Sequence, residues 1–203
     1  MTTVTTPVEA QRPTDRLRID FLFLDLTTCD RCRGTDASLE AALEVVRDRL
    51  EATGTDVEIT KIHVATAEQA RALRFVSSPT IRVNDRDVAL ELRESSCGSE
   101  ACTDGCGDHV DCRVWVHEGR EYTVPPVELI VDAIEHELYA GPVVERGLPT
   151  EPYRLPENLE RFFAGKAAAS AACCSPVEQA SCCEPEDKAA CCGSSTEGGC
   201  GCR

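Results

Sequence analysis

The last 31 residues of this 203-residue chain repeat a thiol unit on a fixed step. Cys173-Cys174, Cys182-Cys183 and Cys191-Cys192 are doubled, and Cys200-Gly201-Cys202 closes the series, each unit nine residues after the one before. Ala, Ser, Gly, Pro and Glu fill the gaps and cannot build an apolar core. Neighbouring Cα atoms lie about 3.8 Å apart, less than the roughly 4.4–6.8 Å that an unstrained disulfide spans. Adjacent cysteines can instead aim two sulfurs at one soft ion, so the segment reads as a thiophilic metal or metalloid binder. Two more thiol groups stand upstream. Cys29-Asp30-Arg31-Cys32 is a CxxC motif, suited to redox exchange or to gripping a soft ion. Cys97, Cys102, Cys106 and Cys112 are separated by four, three and five residues, with Asp108 and His109 between the last two. That set fits one tetrathiolate site (zinc among its candidate ions), a three-thiolate site, two disulfides, or simply unlinked thiols.

Composition narrows the class. A net charge of −15 argues against nucleic acid and anionic membrane surfaces as partners. No apolar run approaches the ~20 residues that span a bilayer. The N-terminus, MTTVTTPVEAQRPTD, has neither the basic nor the apolar region of a secretory signal. The expectation is a cytoplasmic monomer, where thiols stay reduced and fourteen cysteines point to metal or redox chemistry rather than a disulfide framework.

Elements must position these thiols. Residues 1–16 read as a disordered arm. Residues 18–27, RIDFLFLDLT, are apolar on both faces and predict a central buried strand ending at Cys29. A helix is expected from Asp36 as N-cap, with Leu39, Leu43, Val46 and Leu50 as its buried stripe and Gly54 as its stop. Gly34 and Thr35 place its start after the CxxC motif, which would weaken any dipole effect on Cys29. Further strands are expected at 57–64, 80–83 and 88–92, and a short helix at 67–75. Residues 94–112 read as a loop, and 113–124 as a hairpin turning at Glu118-Gly119. A helix opens after Pro125-Pro126, with Val127, Ile130, Val131, Ile134 and Leu138 on its apolar face. Residues 141–166 read as a linker with a short helix at 156–165 docked through Phe162 and Phe163, and 167–203 as a disordered cysteine-rich tail. Of the histidines, His63, His117 and His136 read as packing or surface residues, and Trp115 as hairpin packing.

The order β, CxxC, α, β, α, β, β, α over residues 17–140, with Ser78-Pro79-Thr80 before the third strand, resembles the thioredoxin-like superfamily. With its cysteine-rich insertion at 94–124, the chain resembles the family known as domain of unknown function 2703. The resemblance implies an α/β thioredoxin-like fold and a cis Pro79 beside the CxxC. It also implies that the insertion emerges on the CxxC side, so that six cysteines share one rim. The tail is similar in composition to those of arsenic-resistance proteins.

The reading that unites these features is a thiol protein that binds and relays soft ions such as arsenite, mercuric, zinc or copper(I), to a metal-transfer or thiol-redox partner. The enzymatic alternative is a thiol–disulfide oxidoreductase or metalloid reductase in which Cys29 attacks, Cys32 resolves and the Ser78 backbone aligns the substrate. A lower-ranked alternative is an organomercurial lyase-like activity, with Cys29 and Cys32 holding mercury and Asp30 delivering a proton. Because large apolar residues are nearly absent after Phe163, deleting 167–203 is expected to leave the metal-free melting temperature nearly unchanged and to lower soft-ion capacity sharply. Thermal melts and ion titrations of the truncated chain check both.

Overall fold

The computed structural model describes residues 16–89, 91–97, 110–139 and 152–172, and within them the fold is mixed α/β. Cys102, Cys106, the arm at 1–15 and every cysteine from Cys173 to Cys202 lie outside the described residues.

The first strand, β1 (Arg16–Phe23), buries Leu17, Ile19, Phe21, Leu22 and Phe23. β1 is central, but only one face is apolar throughout: Leu17, Ile19, Phe21 and Phe23 are buried, whereas the other face carries Arg18 and Asp20, paired with each other, and buries only Leu22. It pairs in parallel with β2 (Asp56–His63) and antiparallel with β3 (Thr80–Val83). The two-residue β4 (Arg86–Asp87) completes a four-stranded sheet of order β2-β1-β3-β4. Among the described residues of 88–92, none is in a strand. The chain turns after Asp87, whose carboxylate accepts the Ala89 N–H at 3.0 Å. β1 likewise stops at Phe23 rather than running on to residue 27. Beyond it, Asp25 accepts from the Thr27 and Thr28 backbone N–H groups and both hydroxyls, and this turn leads the chain into Cys29.

The first helix corrects the expected boundary. It runs Asp30–Thr53 (α1), with Cys29, not Asp36, as N-cap. Gly34 and Thr35 do not delay it. Thr35 is fully buried and its hydroxyl donates to the Arg31 carbonyl at 2.8 Å, an intrahelical bond that removes the cost of burying it. Gly34 sits in the second turn because Val124 packs against its backbone: an added Cβ would lie 2.6 Å from Val124 Cγ2 and 3.1 Å from Cγ1. Leu39, Ala42, Val46 and Leu50 form the buried stripe, Leu43 is half-buried, and Gly54 caps the end at φ 67°.

A short helix, α2 (Ala67–Ala72), follows β2 and is briefer than expected. The Ser78–Pro79 bond is cis, as expected. The segment expected as a loop from 94 holds a strand instead. β5 (Arg93–Ser96) pairs antiparallel with β6 (Asp111–His117), which turns through Glu118-Gly119 into β7 (Arg120–Tyr122). This second sheet joins the first through the Arg113 N–H, which donates to the Ser78 carbonyl at 2.7 Å. The helix α3 (Val127–Tyr139) packs against α1 and buries Ile130 and Ile134. Finally α4 (Glu157–Ala172) is longer than the expected 156–165 and carries the chain in helix past 167; Leu155, Leu159 and Phe163 are buried. A truncation meant to spare the folded part therefore belongs after residue 172.

Gly34 yields a sharp test of the α1–Val124 contact. Gly34→Ala should destabilise by about 1 kcal/mol net, since overpacking of ~1–3 kcal/mol exceeds the ~1 kcal/mol by which Ala outranks Gly in a helix. In a Val124→Ala background the same change should stabilise by about 1 kcal/mol, a sign reversal read by a double-mutant cycle of denaturant melts.

Candidate functional site

The thiols converge where α1 begins. Cys29, as N-cap, accepts the Cys32 N–H on its sulfur at 3.4 Å. Cys97 directly follows β5, and its N–H donates to the Val110 carbonyl at 3.2 Å, closing the base of the insertion. Cys112 lies in β6 opposite Ser95. The Sγ atoms of Cys29, Cys97 and Cys112 all lie within 4.8 Å of one another, with Cys29 and Cys97 at 3.9 Å. Around an ion with metal–sulfur bonds of about 2.3 Å, tetrahedral sulfurs sit about 3.8 Å apart, so this spacing suits a shared soft ion. Cys29, Cys32 and Cys112 are buried, Cys97 is half-buried, and none of the four is in a disulfide.

Arg31, the third residue of the CxxC, holds this convergence. Its guanidinium donates to the carbonyls of Ser95 at 3.3 Å, Ser96 at 2.7 Å and Cys112 at 3.2 Å, and to the Ser95 hydroxyl at 3.1 Å. One side chain thus ties the first turn of α1 to both strands that carry the other two thiols. Ser78 performs a matching role below. Its hydroxyl accepts the Leu24 N–H at 3.1 Å and bonds the Cys32 sulfur at 3.5 Å, while its carbonyl takes the Arg113 N–H. Asn158 of α4 clasps β6 through both sides of its amide, accepting the Asp111 N–H at 3.0 Å and donating to the Asp111 carbonyl at 2.7 Å. Arg113 is buried, forks onto Asp87 at 2.9 and 2.8 Å, and lies 5.3 Å from the Trp115 ring centre.

Charge in the cluster is unequal. Hydrogen bonding from Cys112, then from Cys32 and Cys97, drives the Cys29 thiol far below the ordinary cysteine range, against the opposing effect of burial. The helix N-terminus acts in the same direction. Hydrogen bonding with Cys29 and burial push Cys32 far up, and contacts with Cys29 and Cys97 together with burial do the same to Cys112. The cluster therefore carries a thiolate at Cys29, with Cys32 and Cys112 as thiols that donate toward it. Asp30 faces away from this chemistry: its side chain is 80% exposed and paired with Arg33.

Of the sequence candidates, the described residues bring together Cys29, Cys32, Ser78, Cys97 and Cys112. Pro79 follows Ser78 into β3. Among the described residues no histidine or carboxylate joins the three sulfurs. His63 stacks on Phe23, with ring centres 5.7 Å apart, and His117 and His136 line a separate groove of about 480 Å³ beside β4 and α3. Sequence reasoning gave Arg31 no positioning role and passed over Asn158 and Arg113. A long cation inside a CxxC, next to an inserted strand pair rich in serine, was the available signal for the first. Nothing local marked the other two, which act across 47 and 26 residues.

Residues 17–134, more than half of the chain, match the family described as Domain of unknown function (DUF2703). No curated protein and no solved structure matches the chain.

The unequal thiols give stability a characteristic pH profile in the reduced, metal-free protein. Below about pH 8.5 the unfolded chain protonates Cys29 while the native state keeps it as thiolate, so stability rises with pH by up to ~1.4 kcal/mol per unit. Above that pH the unfolded chain loses protons that native Cys32 and Cys112 retain, so the slope changes sign and stability falls as pH rises further. Denaturant melts between about pH 6 and 11 should show this maximum, and Cys112→Ser should make the alkaline decline shallower.

Proposed function

We propose that this chain, which belongs to the DUF2703 family, is a cytosolic thiol protein that binds soft metal or metalloid ions and passes them on by thiolate exchange. The observation that carries the reading is the convergence of Cys29, Cys97 and Cys112 from three separate elements onto one point. Three sulfurs from separate parts of the chain meet beside a lowered thiol, and together they form a donor set that one ion can complete. Sulfur-only donors select thiophilic ions such as arsenite, mercuric, copper(I) or zinc over hard cations. Cys97, the most exposed of the three, is the natural point of entry. The eight cysteines from Cys173 to Cys202 would add capacity and first capture.

A second reading is favoured by a different observation. A lowered Cys29 at the helix N-cap, a raised Cys32 three residues on, and Ser78 beside them are the parts of a thiol–disulfide oxidoreductase. The order β1-α1-β2-α2-β3-β4-α3, with the second sheet inserted before α3, supports a thioredoxin-like fold for the same reason. Turnover separates the two readings: a carrier binds stoichiometrically, whereas an oxidoreductase cycles.

The test uses the full-length chain with the eight tail cysteines changed to Ser. Native mass spectrometry during titration with arsenite, mercuric, zinc and copper(I) ions should show one tightly held ion. Cys29→Ser, Cys97→Ser and Cys112→Ser should each weaken it by at least about tenfold, as loss of one ligand requires. Equal retention by the triple variant would remove the reading.

A further inference from the structure

Cys29 belongs to two groups at once. It is one of three sulfurs that converge within 4.8 Å, and it is also the first cysteine of the CxxC, with the Cys32 N–H on its sulfur at 3.4 Å. Cys32 is not one of the three. It is 1% exposed, lies one turn along α1, and has its sulfur 3.5 Å from the Ser78 hydroxyl. The two arrangements compete for one atom. A sulfur in a disulfide has given its thiolate electron pair to the S–S bond and no longer binds a soft ion strongly. Cys97 and Cys112 have their sulfurs committed when an ion is held, and Cys32 alone among the four remains a spare thiol within reach of Cys29.

We infer that Cys32 is the release thiol of the soft-ion centre, so that a Cys29–Cys32 disulfide and a bound ion exclude one another and a disulfide reagent ejects the cargo. This rests on the ion-binding reading of the preceding subsection and adds its regulation. The oxidant is a low-molecular-weight disulfide, RSSR. Cys29 attacks one of its sulfurs: the RS–SR bond breaks, a Cys29–SR bond forms, RS⁻ leaves, and the Cys29–ion bond is lost. Cys32 then gives up its proton and attacks the Cys29 sulfur, expelling the second RS⁻ and forming the intramolecular disulfide. Two protein sulfurs are oxidised by two electrons and RSSR is reduced to two thiols. One RS⁻ takes the Cys32 proton, and the other replaces Cys29 on the ion; with its third protein donor gone, the ion exchanges Cys97 and Cys112 for water, and those two sulfurs take protons from solvent. The CxxC thus becomes an unloading device, which a storage centre built from Cys97, Cys112 and a lone Cys29 would lack.

The experiment uses the full-length chain with the eight tail cysteines changed to Ser, loaded with cadmium, a soft probe whose thiolate charge-transfer band reports binding. Each variant's cadmium content under reductant is its own reference. After oxidised glutathione and desalting, the parent should lose most of its cadmium, and peptide mapping should show a Cys29–Cys32 disulfide. Cys32→Ser should keep most of its cadmium under the same treatment. Release from Cys32→Ser equal to the parent, a disulfide from Cys29 to Cys97 or Cys112 instead, or cadmium still bound once Cys29–Cys32 has formed would each overturn the inference. Failure of the underlying reading looks different: the Cys29→Ser/Cys97→Ser/Cys112→Ser variant would bind as much cadmium as the parent before any oxidant is added, and the inference would fall with it.

Discussion

The Arg31 guanidinium is the constraint on which the thiol centre depends. A strand pair that carries Cys97 and Cys112 has no covalent reason to lie over the first turn of α1. Three backbone carbonyls and one hydroxyl taken by a single planar cation supply the reason. Charge-assisted bonds of this kind are roughly twice as strong as neutral ones, and their fixed fork sets direction as well as attraction. Because Arg31 also sits between Cys29 and Cys32, the same backbone segment that presents the two CxxC thiols fixes the position of the other two. The centre is assembled from α1, β5 and β6, but its geometry is referred to one turn of one helix.

Ser78 and Asn158 complete the frame from the opposite sides. Ser78 joins the end of β1, the CxxC and β6 through its hydroxyl and carbonyl, so the two sheets cannot slide past one another without breaking bonds beside Cys32. Asn158 reproduces with its amide the pair of bonds that a neighbouring strand would make to Asp111, so α4 seals the open edge of β6 beside Cys112. Arg113 supports the same strand from within, its charge matched by Asp87. A buried ion pair of this sort contributes little net stability, but it makes other arrangements of β6 costly, since they would leave a charge buried alone.

How much of this was legible in the sequence follows the range of the interactions. β3, the Glu118-Gly119 turn, Gly54 as a helix stop and the apolar face of α3 are written in local pattern, and each is found where the residues place it; β1 is found as the central strand but ends at Phe23, where Asp25 turns the chain. The start of α1 was misread because Gly34 and Thr35 are poor helix residues taken alone. Their tolerance comes from Val124 and from burial, which no local window contains. β5 was read as loop because Arg93-Glu94-Ser95-Ser96 has no apolar alternation; it is a fully exposed strand made by pairing with β6 and by the Arg31 bonds to its carbonyls. That Cys97 and Cys112 share a rim with the CxxC was implied by the family resemblance, whereas the selection of Cys29, Cys97 and Cys112 as the meeting set depended on side-chain directions that spacing does not carry.

What results is a centre in which one sulfur answers to three partners. Cys29 caps a helix, accepts from Cys32, and faces Cys97 and Cys112. Each of these contacts favours the thiolate, and each would be weakened if another partner took the sulfur away. An ion placed among the three sulfurs satisfies the thiolate more strongly than any hydrogen bond, yet it leaves the Cys32 contact in place because that thiol lies one turn deeper. A fixed frame matters for such a sulfur. Donors held by Arg31, Ser78 and Asn158 would need little further ordering if an ion is bound as proposed, so more of the sulfur–ion attraction would remain as affinity. The same rigidity keeps Cys32 within reach of Cys29 throughout. On the proposed ion-binding reading, strength of binding and closeness of the competing thiol would therefore come from a single scaffold, and neither could be altered through Arg31 or Ser78 without altering the other.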